Sequence, residues 1–155
     1  MAGDLIRDVE VKTLRLHPDE RGTLAEILRA DEPLFRKFGQ VYFTTAFPGV
    51  VKGWHYHRIQ WDFFTCLRGE VKLVLYDARK DSPTHRAVNE FFLGIRNPQL
   101  VVIPPLVYHG FKCIGGEECL MINVPTEPYN PASPDEYRVP WNDPSIPYDW
   151  GRRDG

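Results

Sequence analysis

No run in this 155-residue sequence is long and apolar enough to cross a bilayer. The opening MAGDLIRDVEVK lacks the hydrophobic stretch of a secretion signal. Cysteine is scarce: Cys66, Cys113 and Cys119 are odd in number and lack CxxC spacing, which argues against a disulfide framework and for a reduced, cytoplasmic setting. Positive charge is not in excess, with 19 Lys+Arg against 21 Asp+Glu, so no basic field points to nucleic acid. Strong amphipathic helical periodicity, internal repeats and low-complexity segments are also missing.

Turn formers and strand formers are plentiful. Fourteen prolines and twelve glycines break the chain into short pieces. The pieces VEVKTLRLH, QVYFTTAF, WDFFTCL, EVKLVLYD, HRAVNEFFL, LVVIPP, LVYHGFKCI and EECLMINV are rich in β-branched and aromatic residues or alternate in polarity. TLAEILRA reads as strand or short helix, Pro33–Phe38 as one helical turn, and Gly115-Gly116 as a hairpin signal. The expected fold is all-β, a jelly roll (double-stranded β-helix, cupin) forming one domain over 1–155. Its proline- and aromatic-rich tail, 125–155, is expected to wrap the surface.

The most chemically loaded stretch is GVVKGWHYHRIQWDFFTCLRG, from Gly49 to Gly69. Side chains alternate along a strand, so His55 and His57 face the same way. Asp62 follows five residues later, and His109 stands after the Pro104-Pro105 pair. A neutral imidazole suits proton abstraction near pH 7. The same residues, His55, His57, Asp62 and His109, equally make a three-His, one-carboxylate metal set. The bland alternative is a set of hydrogen-bonded barrel-interior residues. His17 and His85 read as surface residues, and Phe63, Phe64, Phe91 and Phe92 as core.

Gly49-x5-His55-x-His57-x4-Asp62-x6-Gly69 resembles the first cupin motif, and Pro104-x4-His109 part of the second. More specifically, the words DERG (19–22), QVYFTTAFPGVVKGWHY (40–56), RGEVKLVLYDARKDSPT (68–84), IPPLVYHGF (103–111) and YNPASPDEYRVPWNDPSIPYDW (129–150) resemble the dTDP-4-dehydrorhamnose 3,5-epimerase family. The resemblance implies a cupin enzyme acting on a dTDP-linked 4-keto-6-deoxy sugar, homodimeric, with no metal or other cofactor. It implies His55 as the base and His109 as a second active-site histidine. It places Arg21, Glu26, Gln40 and Lys52 on substrate-contacting positions. Asp62 stands where the family has a lysine, Asn123 where it has its proposed acid tyrosine, and His57 where a glutamine is usual. The family's C-terminal aspartate-bearing segment finds no counterpart. At the HxH word the sequence is also similar to the dTDP-sugar 3,4-ketoisomerases.

Epimerisation beside a ketone needs a base, a donor to the enolate oxygen and a proton returned from the other face. The sequence offers Asp62 or Asp149 to orient His55, and Tyr56, Tyr108 or Tyr129 as acid. Arg21, Lys52, Trp54 and the tail aromatics could contact a nucleotide. His57 and Asn123 join the expected substrate-binding set. Two other classes remain open at this point: a metal-dependent cupin enzyme, and an inactive sugar-nucleotide-binding cupin.

Overall fold

The computed structural model describes residues 4–155. Twelve strands form, all short: β1 (Glu10–Thr13), β2 (His17–Asp19), β3 (Gly22–Leu24), β4 (Tyr42–Ala46), β5 (Val51–Tyr56), β6 (Asp62–Arg68), β7 (Glu70–Asp77), β8 (Val88–Gly94), β9 (Gln99–Ile103), β10 (Val107–Cys113), β11 (Cys119–Asn123) and β12 (Tyr137–Arg138). No helix occurs among the described residues. One five-stranded sheet runs β1-β9-β6-β11-β4 and the other β12-β5-β10-β7-β8, with every pairing antiparallel. The links β4–β5, β5–β6, β6–β7, β8–β9, β9–β10, β10–β11 and β11–β12 each cross from one sheet to the other. That alternation makes the expected jelly roll.

Sheet switching accounts for several local departures from the sequence reading. Gly115-Gly116 joins β10 to β11, which lie in opposite sheets, so it turns a corner of the barrel and is not a hairpin. Gly69 does the same between β6 and β7; its φ is +71°, and a Cβ there would sit 2.9 Å from Cys119 Cα. VEVKTLRLH is two strands, split so that His17–Asp19 can form a separate hairpin with β3. Residues 25–29 have no regular structure, and 30–34 form turns with no helix.

Three apolar clusters explain why the central strands read as hydrophobic on both faces. Between the sheets lie Phe64, Leu73, Leu75, Val101, Ile103, Phe111 and Met121 with all three cysteines, which are free and buried. Ile27, Leu28 and Leu34 cover Phe63, Leu100 and Val102 on one outer face. The tail covers the other: Ile146 and Trp150 pack on Trp54, Val74 and Tyr76. Trp54 is thus a core residue and not a platform for a base. Of the four phenylalanines assigned to the core, Phe92 is exposed.

Asp77, at the end of β7, is fully buried. It accepts from Arg79 Nε at 2.8 Å, Ser82 Oγ at 2.6 Å and Thr84 Oγ1 at 2.6 Å, and so folds the 78–87 loop. Burial pushes its carboxyl up, but Arg79 and the hydroxyls outweigh that and hold it well below the usual carboxylate range. The ionised form therefore favours the folded state above about pH 4, and this contribution is lost as pH falls below that. Asp77→Ala is expected to cost about 2–3 kcal/mol, read by chemical denaturation at pH 7, because Arg79 and two hydroxyls lose their acceptor. The difference from wild type should shrink in acid.

Candidate active site

A cavity of ≈ 1060 Å³ opens between the sheets, beneath the tail. Its wall on one side is β5. Lys52 and His55 both face it although they are three residues apart, because the pairing of β5 with β10 slips between His109 and Phe111. The slip falls where Gly53 and Gly110 touch backbone to backbone; a Cβ on Gly110 would lie 2.8 Å from Gly53 Cα. His57 follows just beyond β5 and also lines the cavity. Gln40, Tyr42 and Thr44 line it from in and before β4, in the opposite sheet, and Tyr129, Glu136, Arg138 and Trp141 line it from the tail.

Behind this wall lies a buried network. His55 pairs across the strands with His109, and the two rings meet edge to face with centroids 4.2 Å apart. His109 and Asp62 are each 1% exposed. Asp62 Oδ2 sits 3.0 Å from His57 Nε2 and 3.1 Å from His109 Nε2. Its Oδ1 accepts from Gln60 Nε2 at 2.7 Å and from Asn123 Nδ2 at 2.8 Å. His109 Nδ1 faces the Val107 carbonyl at 3.1 Å, and His57 Nδ1 makes a short contact with the Asp135 carbonyl. The Asp135 carboxylate caps the 58–60 loop by accepting from the backbone N–H of Arg58, Ile59 and Gln60.

Burial, reinforced by the neighbouring His109, drives the pKa of His55 well below 6.5, so its ring is neutral. Burial also works against the charged form of His57, but Asp62 and the Asp135 carbonyl overcome it and raise the pKa to about 9. For Asp62 burial raises and the two histidines lower, and the histidines win. A neutral ring therefore stands beside a cationic one on the same wall.

The residues expected from the sequence separate into those at the cavity and those away from it. His55, His57, Lys52 and Gln40 line it. Asp62 and His109 support that wall from behind. Asp62 touches His57 and His109, so it does not orient His55 directly, and Asp149 instead accepts from Gly151 N–H at 2.8 Å. The four-ligand metal set reduces to three, since His57, Asp62 and His109 bring ligand atoms within 4.8 Å of one another while His55 stands apart. Asn123 is sealed beneath the surface and bridges Tyr42 to Asp62, so it is no substrate contact here. Arg21 and Glu26 lie on and after the β2–β3 hairpin, paired with Asp19 and Arg29, and neither lines the cavity. Of the three candidate tyrosines, Tyr56 and Tyr108 stack together (4.5 Å) over a different depression, and only Tyr129 reaches the cavity. Tyr42, Asp135 and Arg138 escaped the sequence reading. The weak signal for Tyr42 was its place two residues after Gln40 in a strand already placed near the site.

A jelly-roll barrel with a histidine on the wall of a large cavity, backed by a buried carboxylate–histidine network, defines a cupin-type protein with a candidate active site between its sheets. The family model for dTDP-4-dehydrorhamnose 3,5-epimerase matches residues 4–154. The chain belongs to that family, and it is an enzyme of the nucleotide-sugar epimerase type. It is 41% identical over 146 residues to the spore coat polysaccharide biosynthesis protein SpsL of Bacillus subtilis, covering 94% of this chain and 97% of that one. It is 43% identical over 147 residues to a probable low-salt glycan biosynthesis epimerase, Agl13, of Haloferax volcanii, covering 94% of each. The crystal structure of a dTDP sugar isomerase from Desulfovibrio desulfuricans superposes with a TM-score of 0.90 at 33% identity, covering 96% of this chain and 94% of that one. No helix of the described residues is long and apolar enough to cross a membrane.

Proposed function

We propose that this chain epimerises a dTDP-linked 4-keto-6-deoxy sugar in the cytoplasm by moving a proton at the carbon next to the ketone, with His55 as the base. The observation that carries this reading is the neutral His55 ring on the cavity wall, braced from behind by buried His109. A neutral imidazole accepts the α-proton, and the cationic His57 beside it favours the enolate that forms. Lys52 and Arg138 are the cations available to a diphosphate, and Tyr129 and Trp141 the aromatics available to a base. The expected result is deuterium uptake at C3 or C5 when a dTDP-4-keto-6-deoxy sugar is incubated with the protein in D2O, followed by NMR. No uptake at either carbon would leave a binding protein and end the enzymatic reading for this substrate.

The same proposal includes a homodimer. Edge strand β4 and its flanks expose Val41, Phe43 and Phe47, a row a second copy would cover. Light scattering should give twice the 18.0 kDa of one chain; a monomer at micromolar concentration removes this part.

A second reading has one observation in its favour. Asp62 Oδ2 and His109 Nε2 are buried without a well-aligned hydrogen bond, and with His57 Nε2 they form a compact donor set suited to a first-row divalent ion. Stoichiometric metal in protein purified without added metal would favour it, and a metal-free preparation that still exchanges deuterium would dismiss it.

A further inference from the structure

Inversion at a carbon needs two groups, one on each side of the sugar ring. The base proposed above stands on β5, in one sheet. The opposite wall of the cavity belongs to the other sheet, and there β4 presents Tyr42. Tyr42 is the direct cross-strand partner of Asn123 on β11. The Asn123 amide is fully committed: its Oδ1 accepts from Phe63 N–H at 2.9 Å, and its Nδ2 donates to Asp62 at 2.8 Å and to the Tyr42 hydroxyl oxygen at 3.0 Å. The phenol oxygen is therefore already an acceptor, and among the described residues nothing accepts its own hydrogen. Burial, with the nearby Asp62 carboxylate, pushes its pKa up to about 12, so it is held protonated. Tyr42 is nonetheless 38% exposed, on the cavity side. An anchored, protonated hydroxyl with a free donor direction, aimed from the wall opposite a base, is the arrangement an acid needs.

We propose that Tyr42 is the catalytic acid of this enzyme, held by Asn123 and returning the proton on the face opposite His55. The proposal rests on the epimerase reading above. In the forward step the α C–H bond breaks, its proton goes to His55 and its electron pair becomes the enolate. The Tyr42 O–H bond then breaks, its electrons staying on the phenolate oxygen; the enolate C=C pair takes the proton at the same carbon from the other side, and a lone pair of the enolate oxygen re-forms the C=O bond. The cycle closes when the His55 imidazolium loses its proton to water and the Tyr42 phenolate takes one from water. The acid thus reaches the cavity one strand over from Asn123. The asparagine keeps a structural share of the task by fixing the phenol oxygen and tying it to the Asp62 network.

The test uses the full-length protein, a dTDP-4-keto-6-deoxy sugar and D2O, with deuterium uptake and inversion read separately by NMR. Tyr42→Phe removes only the hydroxyl. Uptake should persist through His55 while inversion falls by about 10²-fold or more, the range typical for loss of a positioned acid. Inversion at the wild-type rate overturns the proposal. Loss of uptake and inversion together, with an unchanged melting temperature, also overturns it and makes Tyr42 a binding residue. Wild-type protein that neither exchanges nor inverts overturns the epimerase reading and the assignment with it, whereas an active wild type with an indifferent Tyr42→Phe overturns the assignment alone. Should Tyr42→Phe fail to fold, 3-fluorotyrosine at position 42 preserves the hydroxyl and changes its acidity. A shifted ratio of inversion to exchange then supports the proposal, and an unchanged ratio overturns it.

Discussion

His55→Ala should abolish α-proton exchange, lowering the initial rate of deuterium uptake by about 10²–10⁴-fold. The expected loss is large because no second neutral ring on that wall can stand in: His57 is cationic and held at both nitrogens by Asp62 and the Asp135 carbonyl. His109 is enclosed behind His55 and does not reach the cavity. The fold should survive, since His55 borders the cavity and contributes no side-chain hydrogen bond to the core network. A melting temperature near wild type, with exchange gone, is the expected pair of results. Exchange at the wild-type rate in His55→Ala would remove this histidine from the chemistry.

Asp62→Ala should be the most destabilising single change in the cavity region, costing about 3–5 kcal/mol, because one buried carboxylate serves four partners. Its removal strands the Gln60 and Asn123 amides and leaves the His57 and His109 rings facing an empty space. For a domain of this size that corresponds to a fall in melting temperature of roughly 10 °C, at about 2–4 °C per kcal/mol. Asp62→Asn, which keeps an acceptor oxygen, should lose clearly less. If Asp62→Ala melted within about 2 °C of wild type, the carboxylate would not be the tie that the distances indicate.

The parts of the site carried by local spacing were legible in the sequence, and the parts carried by strand pairing were not. The HxH word sets His55 and His57 on one face by strand geometry alone, and the proline pair before His109 stops the strand ahead of it, as β9 does at Ile103. EVKLVLYD is legible as a strand, but not its two-sided burial: it reads as alternating, whereas β7 is buried at every position after Glu70. By contrast, Arg138 reaches the cavity only because β12 pairs with β5, in the register Arg138↔His55, across 83 positions of sequence. Asp135 caps the 58–60 loop across a similar separation, and Tyr42 acquires its anchor from the β4–β11 pairing. None of these pairings leaves a periodic mark. The Gly115-Gly116 error has the same root: a tight turn looks alike in sequence whether it closes a hairpin or carries the chain to the other sheet. Asp149 and Asp62 were both reasonable orienters of His55 by residue type, and only the packing shows that one caps Gly151 and the other binds the remaining two histidines.

The wall that carries His55 is bordered by residues 137–139, whose backbone pairs with Trp54, His55 and Tyr56, and is backed by Trp150. During synthesis on the ribosome His55 and His57 therefore emerge some eighty residues before the strand that borders their wall. A nascent chain lacking that strand has an open edge beside His55 and an uncovered Trp54. The wall around His55 is therefore completed only when the last strand docks on it.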